Sequence, residues 1–125
     1  MKEAHAADER GYVIMPENQS INVERSEDIL NLLGKKYSLL IIGILGIDTT
    51  MKFNDIKKIL GCPSSNILTA RLREMNSAEI IDRNVVQSSP ISVMYSLTKK
   101  GIELRKNLIP LFSWIEYNCP RTKLK

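Results

Sequence analysis

The sequence predicts a mainly α-helical domain carrying one small β-hairpin, and three observations predict it. Apolar residues recur at helical spacing in separate runs between Ile29 and Ile115. One stretch, from Ile80 to Thr98, switches to strand-type residues on either side of the break "QSSP". Two of the helical runs are joined by nothing longer than "CPSS", from Cys62 to Ser65.

The elements follow in order. Residues 1–25 have no clear period and form an N-terminal arm, in which "YVIMPENQS" reads as a short strand followed by a Pro-Asn turn. Ser26 is expected to start the first helix, because its hydroxyl can cap free amides and Glu27 and Asp28 suit the positive end of the helix dipole. Ile29, Leu30, Leu32 and Leu33 follow, and Gly34 ends it. A second helix from Lys36 to about Gly46 is apolar nearly all round, which implies burial at the centre of the domain. Its Gly43 and Gly46 leave room for close packing.

"MKF" is then a short extended segment, and Asn54 is the expected N-cap of a third helix whose Ile56, Ile59 and Leu60 make one apolar stripe, closed by Gly61. Pro63 disfavours helix at Cys62, so Ser64 or Ser65 caps a fourth helix running to about Ala78. "IIDRNVV" and "SVMYSLT", with Val93, Tyr95 and Leu97 alternating, pair as a hairpin over about Ile80–Leu97. Thr98 caps a last, long helix with Ile102, Leu108, Ile109, Leu111, Phe112 and Ile115 on a broad apolar face, and Pro110 is expected to bend it. Residues 26–118 thus form the domain and 119–125 a basic tail. The order helix, helix, short strand, helix, helix, hairpin, long helix is a winged helix-turn-helix.

Composition fits one folded domain. The 125 residues are 43% hydrophobic and 26% charged, enough to bury a core without disulfide staples. The net charge of +4 favours a polyanion without identifying it. Lys52, Lys57, Lys58, Arg71 and Arg73 outnumber Asp55, Glu74 and Glu79 in the central helices, while the first twenty residues are net acidic. The longest apolar run, "YSLLIIGILGI", is about half of the roughly 20 residues that span a bilayer, and "MKEAHAADER" has no apolar signal core. A cytoplasmic protein with no membrane partner is expected.

The fourth helix carries the functional signal. At about 100° per residue, Leu68, Leu72 and Met75 stack on one face, with Ile67 and Ala78 beside them. Asn66, Ala70, Arg73 and Ser77 fall opposite, with Thr69 at the margin. A generic surface helix would carry Lys and Glu there. Base edges in a major groove call for this mixture instead: Asn pairs bidentately with adenine, Arg with guanine, and Thr or Ala methyls meet a thymine methyl. Asn66, Thr69, Ala70 and Arg73 are therefore the candidate base contacts. Ser64, Ser65, Lys36, Lys52, Arg71, Arg83 and Ser92 are the candidate phosphate contacts, with Lys57, Lys58 and Lys99 as further solvated bases. Arg71 lies on the flank, nearer the core, and reads equally as a brace to a neighbouring element. The hairpin tip, Ser88 to Ser92, is a candidate wing without a base of its own.

"LLGKKYSLLIIGIL", "KFNDI", "ILTARLREM" and "SPISVMYSLTKKG" together resemble the HxlR-type winged helix-turn-helix transcriptional regulators. That pattern has a Gly-Lys-Trp opening, an Arg-Phe-Asn-Glu-Leu segment, a Leu-Thr-x-Arg-Leu-x-x-Leu recognition helix and a Pro-x-x-Val-x-Tyr-x-Leu-Thr wing. The matches run in order over approximately Ile29 to Trp114. Tyr37 stands in place of the family's Trp, Lys52 and Asp55 in place of Arg and Glu, and Ser92 where the wing often carries Arg. Some members sense redox through a cysteine shortly before the first helix, where this chain has none. The resemblance implies a homodimer on double-stranded DNA with a palindromic operator, its recognition helices about 34 Å apart on successive major-groove faces. It places the interface in the N-terminal region and last helix, where Leu111, Phe112, Trp114, Ile115 and Tyr117 offer more apolar surface than one small domain needs. A small-molecule effector is allowed for, but no residues define its pocket.

Other chemistry is poorly supplied. His5 is the sole histidine, no glycine loop could cradle phosphate, and Cys62 and Cys119 have no metal-ligand spacing, so neither enzymatic activity, a cofactor nor a metal is expected. Cys62 reads as a small turn residue or, just before a helix N-terminus, as a thiol sensor; Cys119 reads as a sensor or an incidental thiol. The competing functional class is a winged-helix protein-interaction module that binds no DNA.

Overall fold

The computed structural model describes residues 12–14 and 20–120 of the chain. Contacts divide it into two units, residues 1–35 and 36–125.

In the first unit, β1 (Tyr12–Ile14) pairs antiparallel with β2 (Ser20–Asn22), which runs directly into α1 (Val23–Leu33). The expected strand at Tyr12 is present; the Pro-Asn turn after it lies outside the described residues. The expected helix start at Ser26 is corrected to Val23. Asn22, still extended as the last residue of β2, caps the helix by accepting a hydrogen bond from the Arg25 amide at 2.6 Å. Asn and Ser are near-equal caps, and the one at the strand end takes the position first. Ser26 is left inside the helix.

The second unit holds the remaining elements. α2 (Ser38–Leu45) is its centre, with Ser38, Ile41, Ile42 and Leu45 fully buried. The expected start at Lys36 moves to Ser38 because Tyr37 adopts a left-handed backbone, φ 77°, which a right-handed helix cannot include. β3 (Met51–Lys52) leads straight into α3 (Phe53–Leu60), so Lys52, not Asn54, is the N-cap and no side chain caps that end. Asn54 falls inside the helix because β3 stays extended through Lys52, where it pairs with β5. Of the predicted stripe on α3, Ile56 is buried and Ile59 is exposed.

α4 (Ser65–Ser77) follows, then β4 (Ile81–Val86), β5 (Ser92–Leu97) and α5 (Lys99–Asn118). The hairpin is widened by β3 into a three-stranded antiparallel sheet of order β3-β5-β4. Its register pairs Ile81 with Leu97, Arg83 with Tyr95 and Val85 with Val93. Buried Ile56, Leu68, Leu72, Met75, Ile80, Ile81, Leu97 and Leu108 close around α2 to make the core. Each such side chain contributes about 1.5–3 kcal/mol by leaving water.

Thr98 is the helix cap that the sequence predicts. Its Oγ1 accepts from the Gly101 amide at 2.9 Å and donates back across the fold to the Glu79 carbonyl at 2.6 Å. Gly101 is required by close approach: a Cβ there would collide with the Ile80 carbonyl oxygen. α5 is thereby seated on the junction between α4 and β4. The helix continues through Pro110 to Asn118.

Candidate nucleic-acid interface

The turn before α4 is fixed by its own hydrogen bonds. Gly61 takes the left-handed conformation, φ 64°, and the Gly61 and Cys62 amides donate to the Lys58 and Lys57 carbonyls, both at 3.1 Å. Cys62 is buried, and its Sγ donates to the Ser64 carbonyl at 3.3 Å. The thiol is thus part of the turn's packing. Ser64 then caps α4, its Oγ accepting from the Ile67 amide at 3.2 Å. α3, this turn and α4 form the helix-turn-helix.

Helical phase sorts α4 into two faces. Leu68, Leu72 and Met75 are buried against the core. Asn66, Thr69, Ala70 and Arg73 are all exposed, and among the described residues the three polar side chains make no hydrogen bond or ion pair. Ile67, expected beside the apolar face, is 43% exposed instead. It lies one residue before Leu68, about 100° round the helix, and therefore off the buried stripe.

Arg71 is held by the chain itself. Its side chain is 14% exposed, Nε donates to the Lys36 carbonyl at 3.0 Å and Nη1 pairs with Glu74 Oε1 at 2.7 Å. It braces α4 to the turn that precedes α2. Lys36 itself is exposed, its Nζ 5.2 Å from the centre of the Tyr37 ring.

The other basic candidates are spread over the sheet. Lys52 in β3 and Arg83 in β4 are exposed and stand on opposite edges of it. Lys52 pairs with Met94 and Arg83 with Tyr95, and adjacent strand residues face opposite ways, so these two cations lie on opposite sides of the sheet. Ser64 and Ser92 are half-buried and Ser65 is exposed.

Arg73 and Arg83 do come together. With Thr69, Leu72, Asn76 and Tyr95 they line one cleft of about 340 Å³ between α4 and the β4–β5 hairpin. Asn76 Nδ2 donates to the Ile81 carbonyl at 2.9 Å and holds the end of the helix to the start of the strand. Asn76 and Tyr95 line this cleft but were not among the contact residues that the sequence singled out. The available signal was the alternation Ile81, Arg83, Val85, which puts an exposed arginine on the sheet face that carries buried Ile81 and Tyr95.

On α5, Leu111, Trp114, Ile115 and Tyr117 are exposed, Trp114 by 57% and Tyr117 by 90%. Phe112 is different. Its ring lies 3.1 Å from where a Gly43 Cβ would be, so it packs inside the chain on α2. Arg105 Nε, donating to the Gly43 carbonyl at 3.1 Å, fastens the same contact. Among the described residues no cluster of three His, Cys, Asp or Glu could hold a metal, and no helix is long and apolar enough to cross a membrane.

A helix-turn-helix followed by a paired hairpin, with an uncommitted polar face on its second helix, defines a winged helix-turn-helix of the DNA-binding class. The comparisons agree. The model of the HxlR-like helix-turn-helix family matches residues 32–123, and the chain belongs to that family. It is 33% identical to the HTH-type transcriptional regulator YodB of Bacillus subtilis over 76% of this chain and 84% of that protein. Among solved structures, it resembles a possible HxlR family transcriptional factor from Thermoplasma volcanium. That match has TM-score 0.72 and 34% identity, over 85% of this chain and 94% of the other. The redox regulator HypR in its oxidized form matches with TM-score 0.71 and 29% identity, over 78% and 99% of the two chains. The protein is a helix-turn-helix transcriptional regulator of the DNA-binding kind, and its relatives carry the names of regulators, not of enzymes.

Proposed function

We propose that the protein binds a palindromic operator as a homodimer and reads its sequence with α4 in the major groove. Asn66, Thr69, Ala70 and Arg73 face the bases. Ser64 and Ser65 meet phosphate at the helix start, Lys36 and Lys52 are peripheral phosphate contacts, and the hairpin is the wing, with Arg83 and Ser92 on its strands. The observation that carries this reading is the outer face of α4, whose polar side chains are exposed with no partner among the described residues. Nothing in the fold accounts for a short polar residue, a methyl and an arginine there, whereas base edges do. Arg71 serves that face by bracing the helix that presents it.

The dimer reading is supported by exposed Leu111, Trp114, Ile115 and Tyr117 along the end of α5. Aromatic anchors of this kind dominate protein interfaces. Phe112 contributes by stiffening the helix from the inner side.

A second reading, an interaction module without DNA binding, is favoured by the outer end of the wing, which exposes Val85, Val86 and Ile91 and carries no base beyond Arg83. Selection of duplex fragments from a random pool separates the two. A regulator returns an enriched sequence with two-fold symmetry and half-sites about one helical turn apart. Recovery of unselected DNA only would remove the operator assignment.

A further inference from the structure

A second cleft, of about 320 Å³, lies where α2 ends, beside β5 and the first turn of α5. Leu97 and Ile102 supply its apolar wall, Asp48, Thr49, Thr50 and Ser96 its polar one, and Gly46, the residue that ends α2, completes it. That volume is at the small end of ligand-binding pockets. It shares no residue with the cleft beside α4 or with the candidate DNA contacts. In a chain of net charge +4 its lining holds one carboxylate and no base.

The fixed polar groups of this cleft are acceptors. Thr49 Oγ1 donates its proton to the Ile47 carbonyl at 3.3 Å, so only its lone pairs are left to meet a ligand. A Cβ on Gly46 would stand 3.2 Å from that oxygen, which places the hydroxyl against the end of α2. Gly46 turns there to φ 56°, and among the described residues no backbone amide caps the helix. Of the last four carbonyls of α2, Arg105 engages that of Gly43; the end as a whole keeps the negative pole of the helix dipole. Asp48 is exposed, and among the described residues its carboxylate makes no hydrogen bond or ion pair. The Thr50 and Ser96 hydroxyls can turn to donate or accept.

We propose that this cleft binds a small organic ammonium ion, its N–H groups on Asp48 and Thr49 beside the end of α2 and a short apolar chain against Leu97 and Ile102. An ammonium carries three donors and no acceptor, the complement of that lining. An anion of the same size would be repelled by the carboxylate and by the helix end. The ligand touches α2, β5 and α5 together, and α5 carries the exposed face of Leu111, Trp114, Ile115 and Tyr117. It is placed to act as an effector by setting how α5 is seated. That effector role rests on the homodimer and operator reading above; the binding site itself does not.

The test uses the full chain with n-butylammonium as probe, titrated at constant chloride, and n-butanol and n-butyrate as neutral and anionic controls. Butylammonium should shift the amide resonances of Gly46, Asp48 and Ser96 saturably, and neither control should. Asp48→Asn should weaken the probe about fivefold, the worth of an exposed ion pair. Asn tolerates the left-handed backbone that Asp48 adopts, φ 57°, so the loop is kept. Thr49→Val should cost about threefold. Shifts that do not saturate, that butanol reproduces, or that Asp48→Asn leaves unchanged overturn the site. With duplex DNA, saturating butylammonium should change wild-type affinity about fivefold relative to sodium chloride of equal concentration, and Asp48→Asn should shrink the change at the same probe concentration. Saturable binding with DNA affinity unchanged supports the site and overturns the effector role. Wild-type protein that binds no duplex at low salt, yet still saturates with the probe, would overturn the operator reading and leave the site standing.

Discussion

α4 and α5 are both amphipathic helices of the second unit, and both leave a face uncovered, but the two faces have opposite chemistry. α4 exposes Asn66, Thr69, Ala70 and Arg73; the end of α5 exposes Leu111, Trp114, Ile115 and Tyr117. A face of short polar groups and one arginine gains little from being dried and much from complementary hydrogen bonds. A face of large apolar side chains gains by losing water against another protein. One kind of exposed surface therefore suits nucleic acid and the other suits protein, which in the proposed reading is a second copy of the chain.

Substitutions can break this contrast, and the largest effect is expected in the core beneath α4. Leu72→Ala removes a buried side chain from the inner face of α4 and should cost about 2–5 kcal/mol of folding stability, read from urea denaturation. It should impair DNA binding and assembly together. Trp114→Ala should weaken the dimer by about 2 kcal/mol or more in sedimentation equilibrium while leaving the fold intact. A monomeric wild type would remove the meaning given to the α5 face. Arg73→Ala should lower operator affinity by about 1–3 kcal/mol and relax specificity at one base position, with the dimer unchanged. Smallest is Ser64→Ala, which removes the α4 cap and should cost about 1 kcal/mol in thermal unfolding.

The two helices also differ in how fully the sequence announced them. The faces of α4 follow from its 3.6-residue period, and Pro63 narrowed its cap to Ser64 or Ser65, of which the structure uses Ser64. α5 was legible by its Thr98 cap and apolar face, but the inner role of Phe112 depends on Gly43 in α2, far away in sequence. Gly101 in a helix makes sense only once the Ile80 carbonyl is beside it. Two of the three helix starts that shifted share a cause, and the third has its own. Asn22 and Lys52 end strands whose pairing decides where the helix begins, and Tyr37 takes a left-handed turn that no local propensity announces. The cleft was hidden for the same reason: Arg83 and Tyr95 meet through sheet register, and α4 reaches them through tertiary packing. Local periodicity names the faces, and long-range pairing decides what stands next to them.

The measurement that bears most directly on the account is the affinity of the wild-type protein for duplex DNA as a function of salt. Binding through α4 with a phosphate rim predicts measurable affinity at about 50 mM salt that falls by orders of magnitude toward about 200 mM, with a linear log-log slope of several units. Absence of duplex binding at the lower salt, by a protein that is folded and dimeric, would contradict it.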